Sequence, residues 1–196
     1  MKIEINIPTN LNEITLGDFQ LYWSTNKTDK DKLKYLLKLN DYTIDHLPRH
    51  TILELVDAID DLLSQEVEFQ QFVTLGGVEF GFIPNFENIS MAEFIDLDSH
   101  ISEIETLHTA CAVMFRMIDK QDGINYSLKE YNPEHGADLL MKHLPLGVAL
   151  GAKVFFWNLG MELLEIIPDY LTEEMGEMNT ATNINFRKGG DGMVQS

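Results

Sequence analysis

Apolar residues recur along most of this chain with the period of an α-helix. The clearest stretch follows Pro48, where apolar side chains stand three or four positions apart: Ile52, Leu55, Val56, Ile59, Leu62 and Leu63. Because that spacing places them on one face of a helix, it predicts an amphipathic helix that begins near Thr51. Similar spacing and capping residues predict further helices at about 15–23, 29–39, 91–101, 107–118 and 134–143.

One part of the chain has the period of a β-strand instead. The runs on either side of Gly76 and Gly77 are rich in Phe, Val and Ile. A two-glycine turn between such runs is typical of a β-hairpin, because the tight turn needs positive φ angles. The sequence therefore predicts an inserted hairpin over about 69–83, with a weaker strand over 126–131.

The most apolar stretch of the chain runs from residue 146 to residue 167. Lys153 interrupts it, acidic residues follow Asn158, and no positively charged segment flanks it. It therefore predicts a buried C-terminal helix, and we expect no membrane span. Gly147 and Gly151 would let another helix approach closely, within the domain or between subunits.

These patterns together predict a mainly α fold with a small β-hairpin (α+β). We expect a helical domain with an inserted hairpin and a buried C-terminal helix. A length of 196 residues fits one domain. We assign residues 1–172 to that single domain and residues 173–196 to a flexible C-terminal arm, because the last part of the chain has no periodic apolar pattern.

The net charge of −18 is distributed unevenly. Between Arg49 and Arg116 there is no lysine or arginine, whereas that interval, which we call the acidic block, holds thirteen aspartates and glutamates. A block of one sign repels itself and argues against polyphosphate partners, so we expect no direct nucleic-acid binding. It favours a partner that is cationic, or self-assembly.

Candidate catalytic and metal sites find little support in the sequence. Glu105 and His108 have a metal-binding spacing, but a di-iron bundle needs two such pairs and the chain has one. The Asp-x-Asp-x-His run that starts at residue 96 lacks the glycine and glutamate of a calcium loop. Cys111 lies in an apolar run, which is typical of a core thiol. We expect a non-enzymatic protein without a metal or other cofactor.

Arg116 is the first cation after the acidic block, and it falls inside the helix predicted over 107–118. A buried guanidinium needs a carboxylate partner. We therefore expect a structural ion pair between Arg116 and an acid such as Asp96 or Asp98. Recognition of a partner protein is the alternative role.

Docking on a partner is the main hypothesis for the other charged residues. We expect the contact to use acids of the acidic block and the two cations of the arm: Glu79, Glu87, Asp96, Asp98, Arg187 and Lys188. The two cations would seat on the acidic block of a neighbouring molecule.

Four segments of the chain have a familiar order: GVEFGFIPN (77–85), EFIDLD (93–98), AVMFR (112–116) and LPLGVALGA (144–152), the last followed by Phe155 and Phe156. Together they resemble an uncharacterised family of small tailed-bacteriophage morphogenesis and virion proteins, over about residues 10–167. Members of that family are encoded among head and tail morphogenesis genes and have no assigned reaction. The resemblance therefore supplies no functional residues.

What the resemblance implies is a non-enzymatic structural or assembly protein of a tailed bacteriophage, in the head, connector or tail region. It would dock on other phage structural proteins or on itself, as a multi-copy assembly. We expect it in the virion, and in the host cytoplasm during assembly. Two alternatives stay open: a tail-assembly chaperone absent from the mature virion, and an acidic nucleic-acid mimic that inhibits a host DNA-binding protein.

Overall fold

The structure, a computed structural model, describes residues 5–86, 89–122, 125–131 and 137–159. It is mainly helical with one small antiparallel sheet, as predicted. The helices are α1 (Leu16–Trp23), α2 (Asp29–Asp31), α3 (Asp41–Asp45), α4 (Arg49–Leu63), α5 (Met91–Ile101), α6 (Leu107–Met114), α7 (Ala137–Met141) and α8 (146–159). The strands are β1 (Phe72–Leu75), β2 (Val78–Phe82), β3 (Phe115–Asp122) and β4 (Asn125–Leu128).

Side-chain caps fix the starts of the first two helices. The Thr15 hydroxyl accepts a hydrogen bond from the Asp18 amide at 3.1 Å, and Thr28 and Asp31 form a capping box. Such caps satisfy N–H groups that the first turn of a helix leaves without intrahelical partners. α2 continues directly into a π-helical turn, Lys32–Leu36, so the predicted second helix is present but ends early.

Two helix starts differ from the prediction. α3 is a short helix that apolar spacing does not reveal; its N-cap, Asn40, accepts a hydrogen bond from the Thr43 amide at 2.8 Å. α4 begins at Arg49, ahead of the predicted start at Thr51, because Pro48 is its N-cap. Proline is tolerated at a helix start, where its missing N–H removes no intrahelical hydrogen bond.

The predicted hairpin is present. β1 and β2 pair antiparallel on either side of Gly76 and Gly77, which have φ angles of 58° and 81°. Glycine adopts such left-handed angles without the steric penalty that a Cβ would bring. β3 and β4 extend the hairpin to a four-stranded sheet of order β1–β2–β3–β4.

The sheet is larger than predicted because the helix expected over 107–118 ends at Met114. Phe115 takes an extended conformation and opens β3, which pairs antiparallel with β2. Pairing satisfies backbone groups on the edge of β2 that the hairpin alone would leave without partners. Arg116 therefore lies on a strand, and the helical position expected for it is wrong.

The segment before α1 and the start of α8 hold each other in place. Thr15 and Pro145 form an isolated antiparallel bridge, and the Leu146 amide donates to the Ile14 carbonyl at 2.8 Å. This short pairing joins the segment before α1 to the segment that enters α8. It lets the first turns of α8 enter the core, where four of its side chains are buried: Leu146, Val148, Ala149 and Ala152.

Both glycines of α8 permit a close approach, as predicted, but their neighbours are not another α-helix. A Cβ at Gly147 would lie 2.5 Å from Asn12 Oδ1, in a 3₁₀ turn. A Cβ at Gly151 would lie 2.5 Å from the Glu68 carbonyl oxygen, in the irregular segment before the hairpin. α8 is therefore contacted at these glycines by the N-terminal part and by the hairpin part of the domain.

The chain divides into two compact units, Met1–Val154 and Phe155–Ser196. Of the second unit the structure describes residues 155–159, which are helical. The predicted C-terminal arm, 173–196, lies outside the described residues. Within the described ranges, no helix has the length and apolar character needed to cross a membrane.

Candidate docking surface

Helix α5 begins at a reciprocal capping box. The Ser90 hydroxyl accepts from the Glu93 amide at 3.2 Å, and Glu93 Oε2 accepts from the Ser90 amide at 2.5 Å. Two N–H groups of the helix start are thereby satisfied, which fixes the start at Met91. The boundaries of α5, Met91–Ile101, agree with the prediction.

Two faces of α5 are apolar. Leu97 and Ile101 are buried in the core, whereas Met91, Phe94 and Ile95 are 73%, 48% and 55% exposed. Because the exposed residues stand at positions i, i+3 and i+4, they form one stripe on the outside of the helix. Single exposed apolar residues are ordinary on protein surfaces, but a contiguous group is typical of an interaction site.

Asp98 continues this stripe. It is exposed and stands one helical turn after Phe94 and Ile95. We call Met91, Phe94, Ile95 and Asp98 the outer face of α5. The structure thus brings one predicted docking residue, Asp98, onto the same helix face as three large apolar side chains.

An ion pair anchors the other side of α5. Arg116 Nη1 lies 2.9 Å from Glu93 Oε1, with the two side chains 15% and 11% exposed. Arg116 Nε also donates to the Val113 carbonyl at 3.2 Å. The partner of Arg116 is therefore Glu93 and not Asp96 or Asp98, because the guanidinium projects from β3 and meets the first turn of α5. The pair joins the helix to the sheet.

Asp96 is also engaged within the domain. The Tyr131 hydroxyl donates to Asp96 Oδ2 at 3.1 Å. Burial, together with this hydrogen bond, raises the pKa of Tyr131 to about 12. The Arg116 guanidinium lies 6.0 Å from the centre of the Tyr131 ring. Asp96 and Glu93 thus belong to one polar cluster beneath α5.

The other predicted docking residues are placed elsewhere. Glu79 is exposed on β2, next to the hairpin turn. Glu87, Arg187 and Lys188 lie outside the described residues. The structure therefore does not bring Glu79 into the stripe formed by Asp98 and its apolar neighbours.

Met91, Phe94 and Ile95 were not among the predicted docking residues. The number of apolar residues gave no signal for them, because five large apolar side chains in about three turns are ordinary for a helix that packs on a core. Which of the five point outward depended on tertiary packing.

Two described cations near α5, Lys153 and Arg116, already have partners within the chain. The Lys153 ammonium donates to the Ser102 carbonyl, at the C-cap of α5, at 2.8 Å, and Arg116 pairs with Glu93 on the inner side. Among the described residues, no ion pair reaches Asp98. The outer face therefore combines apolar side chains with a carboxylate that the described chain leaves without a counter-charge.

Of the other groups singled out from the sequence, Glu105 is exposed, His108 is half-buried and Cys111 is buried. His108 Nδ1 is 3.1 Å from Gln20 Nε2, and burial lowers the pKa of this histidine. Cys111 is fully buried, which raises the pKa of its thiol to about 12. The thiol is therefore protonated at neutral pH and serves as a core residue. Within the described ranges, no group of three or more His, Cys, Asp or Glu side chains could hold a metal ion.

Comparison with known proteins gave no match: no family model, no curated protein and no solved structure is significantly similar to this chain.

Proposed function

We propose that this protein is a non-enzymatic structural or assembly protein of a tailed bacteriophage, and that it docks on other proteins through the outer face of α5. One observation carries the proposal: Met91, Phe94 and Ile95 are exposed on a helix whose other side is anchored in the core. An apolar stripe held in water by a rigid helix is unfavourable, and burial against a partner removes that free-energy cost.

The size of the stripe indicates what kind of contact it forms. Full burial of an apolar side chain contributes about 1.5–3 kcal/mol before the costs of association are subtracted. A stable specific interface buries about 1,200–2,000 Å² in total, so three side chains are the centre of a larger contact. Asp98 would lie at the rim, where a charge steers the approach of the partner more than it adds affinity.

The resemblance of segments 77–98 and 112–152 to small tailed-phage proteins supports the head, connector or tail region as the site of action. The resembling run EFIDLD (93–98) lies within α5. We propose that the protein is part of the virion and that it meets its partners in the host cytoplasm during assembly. Other phage structural proteins, or further copies of this chain, are the partners that this role requires.

Mass spectrometry of purified particles tests this proposal. A virion component is expected at a constant copy number per particle, at a level comparable with known structural proteins. Absence from the particles, with co-purification of a tail protein from lysate, would identify a chaperone and overturn the virion role. Binding only to a host DNA-binding enzyme, weakened steeply by salt, would identify a nucleic-acid mimic and overturn the assembly role as well.

A further inference from the structure

We infer that the outer face of α5 binds a cationic amphipathic helix of a different protein. The inference rests on the proposed docking function and names the chemistry of the partner. The apolar part of the surface, Met91, Phe94 and Ile95, and its one carboxylate, Asp98, each restrict what can bind there.

The geometry of the stripe fits a helix. Side chains at positions i, i+3 and i+4 form a ridge along α5, and helices pack by placing such ridges into grooves between the side chains of a neighbour. A partner helix with apolar residues at the same spacing covers Met91, Phe94 and Ile95 together. The capping box and the ion pair of Glu93 with Arg116 hold the ridge in one orientation, so little order is lost on binding.

The charge of the surface calls for a cationic partner. The acidic block contains no lysine or arginine. Among the described residues, Arg116 pairs with Glu93 and Lys153 donates to the Ser102 carbonyl, so neither cation is available to Asp98. Asp98 is exposed and stands on the stripe itself. Lysine or arginine beside the apolar positions of the partner helix would neutralise this carboxylate.

A second copy of this chain is a poor occupant. In its cationic segment, 27–38, four lysines already form ion pairs with carboxylates of the same chain: Lys30 with Asp45, Lys32 with Asp60, Lys34 with Asp41 and Lys38 with Asp18. A symmetric dimer through α5 would place one acidic block against the other, which like-charge repulsion disfavours. We therefore favour a cation supplied by another protein over one supplied by Arg187 or Lys188 of a second copy.

Binding of synthetic helical peptides to the full-length protein tests the inference. The first peptide, of about 20 residues, carries leucines at helical spacing with lysines on both sides of the apolar stripe. The second has glutamates in place of the lysines. The third has the composition of the first in an order that forms no apolar face. We expect the first peptide to bind at least about tenfold tighter than the other two, with an affinity that falls as salt rises.

Two matched double variants locate the binding site. Phe94→Ser/Ile95→Ser removes side chains that are 48% and 55% exposed, and Leu53→Ser/Leu21→Ser removes side chains that are 47% and 55% exposed on α4 and α1. The first variant should bind the lysine peptide at least about tenfold more weakly than the wild-type protein does, and the second should bind it with unchanged affinity. Asp98→Asn should weaken it a few-fold and reduce its salt dependence.

Three results would overturn the inference. One is equal weakening by the two double variants, and another is equal binding of the lysine and glutamate peptides. The third is a dimer in light scattering that only Phe94→Ser/Ile95→Ser dissociates, since a second copy would then be the occupant. Failure of the peptides, with the protein still present in particles, refutes the partner chemistry alone; absence from particles refutes the proposed function instead.

Discussion

Two regions of this domain handle charge in opposite ways. In the N-terminal helical region, residues 11–63, lysines and carboxylates are interleaved and pair at the surface, as in Lys30–Asp45 and Lys34–Asp41. In the sheet region, residues 64–131, twelve aspartates and glutamates stand against three lysines and arginines. The ion pair found among its described residues, Arg116–Glu93, lies largely buried beneath α5.

The ion pairs of the two regions have different roles: those of the N-terminal helical region neutralise surface charge, whereas the Arg116–Glu93 pair holds α5 to the sheet. Exposed ion pairs contribute about 0–1 kcal/mol each, so the pairs of the N-terminal helical region add little to folding. These pairs offset part of the negative charge of that surface, where ten acids stand against six lysines and arginines. The exposed carboxylates of the sheet region keep their field, and under the proposed docking function that field would attract a cationic partner to the three exposed apolar side chains of α5.

The largest expected effect comes from breaking the buried pair. Arg116→Met should destabilise the protein by about 3 kcal/mol, because it leaves Glu93 with little solvent and no counter-charge. Lys32→Met, which breaks a pair whose carboxylate, Asp60, is 52% exposed, should cost about 1 kcal/mol or less. Urea unfolding followed by circular dichroism measures both.

A double variant shows whether the cost arises from the unpaired charge. Glu93→Gln/Arg116→Met should cost less than the sum of its two single variants, since neither partner is left charged and alone. Equal costs for Arg116→Met and Lys32→Met would remove the distinction between a buried pair in one region and surface pairs in the other.

An effect of intermediate size on stability is expected at the two glycines of α8. Gly147 contacts the N-terminal helical region, and Gly151 contacts the sheet region. Gly151→Ala should destabilise by about 2 kcal/mol, because its Cβ would press on the backbone carbonyl of Glu68. Gly147→Ala should stay within about 1 kcal/mol of no change, since the Asn12 side chain can rotate away and alanine favours the helix. Thermal unfolding of both variants measures the two effects. A larger loss of stability for Gly147→Ala than for Gly151→Ala would contradict this prediction.

The smallest expected effect is a difference between two tyrosines in what each contributes to the stability of the protein at alkaline pH. Burial first, and then Asp96, raises the pKa of Tyr131 to about 12, above the value near 10 of an unfolded chain. As pH rises through that window the unfolded state loses the proton first, so the stability that Tyr131 contributes is lost. Tyr131→Phe should therefore make the decline in stability shallower.

Tyr22, in the N-terminal helical region, is the matched control. Burial raises its pKa as well, but the charge of Lys32 opposes the rise. Tyr22→Phe should change the alkaline decline less than Tyr131→Phe does. Urea midpoints measured from about pH 8 to about pH 11 report the slopes; the reverse order would show that the local charge balance does not control these two hydroxyls.

Most of the fold could be predicted because local signals agreed with tertiary packing. Gly76 and Gly77 demanded a hairpin turn, and Ser90 with Glu93 set the start of α5. The failure at Phe115 has a physical cause. The run from Ala110 to Ile118 is apolar almost throughout, so its periodicity does not separate a buried helix from a strand. Pairing with β2, a contact distant in sequence, decided the outcome.

The candidate surface was harder to predict than the fold. Acids were easy to count, so Asp98 was named as a candidate and is exposed, but counting could not show that Asp96 and Glu93 turn inward to Tyr131 and Arg116. The exposed apolar residues were overlooked because apolar side chains in a helix are expected in the core. Their role depended on which side of α5 the sheet covers.

The most direct test of the account is the incorporation of two variants into phage particles. Phe94→Ser/Ile95→Ser and Leu53→Ser/Leu21→Ser would be supplied to a phage that lacks this gene, and their copy numbers in purified particles measured by mass spectrometry. Equal urea midpoints and soluble levels first show that both variants fold. The account predicts wild-type incorporation of the second variant and at least an approximately tenfold loss of the first. Equal incorporation of both would contradict docking through α5.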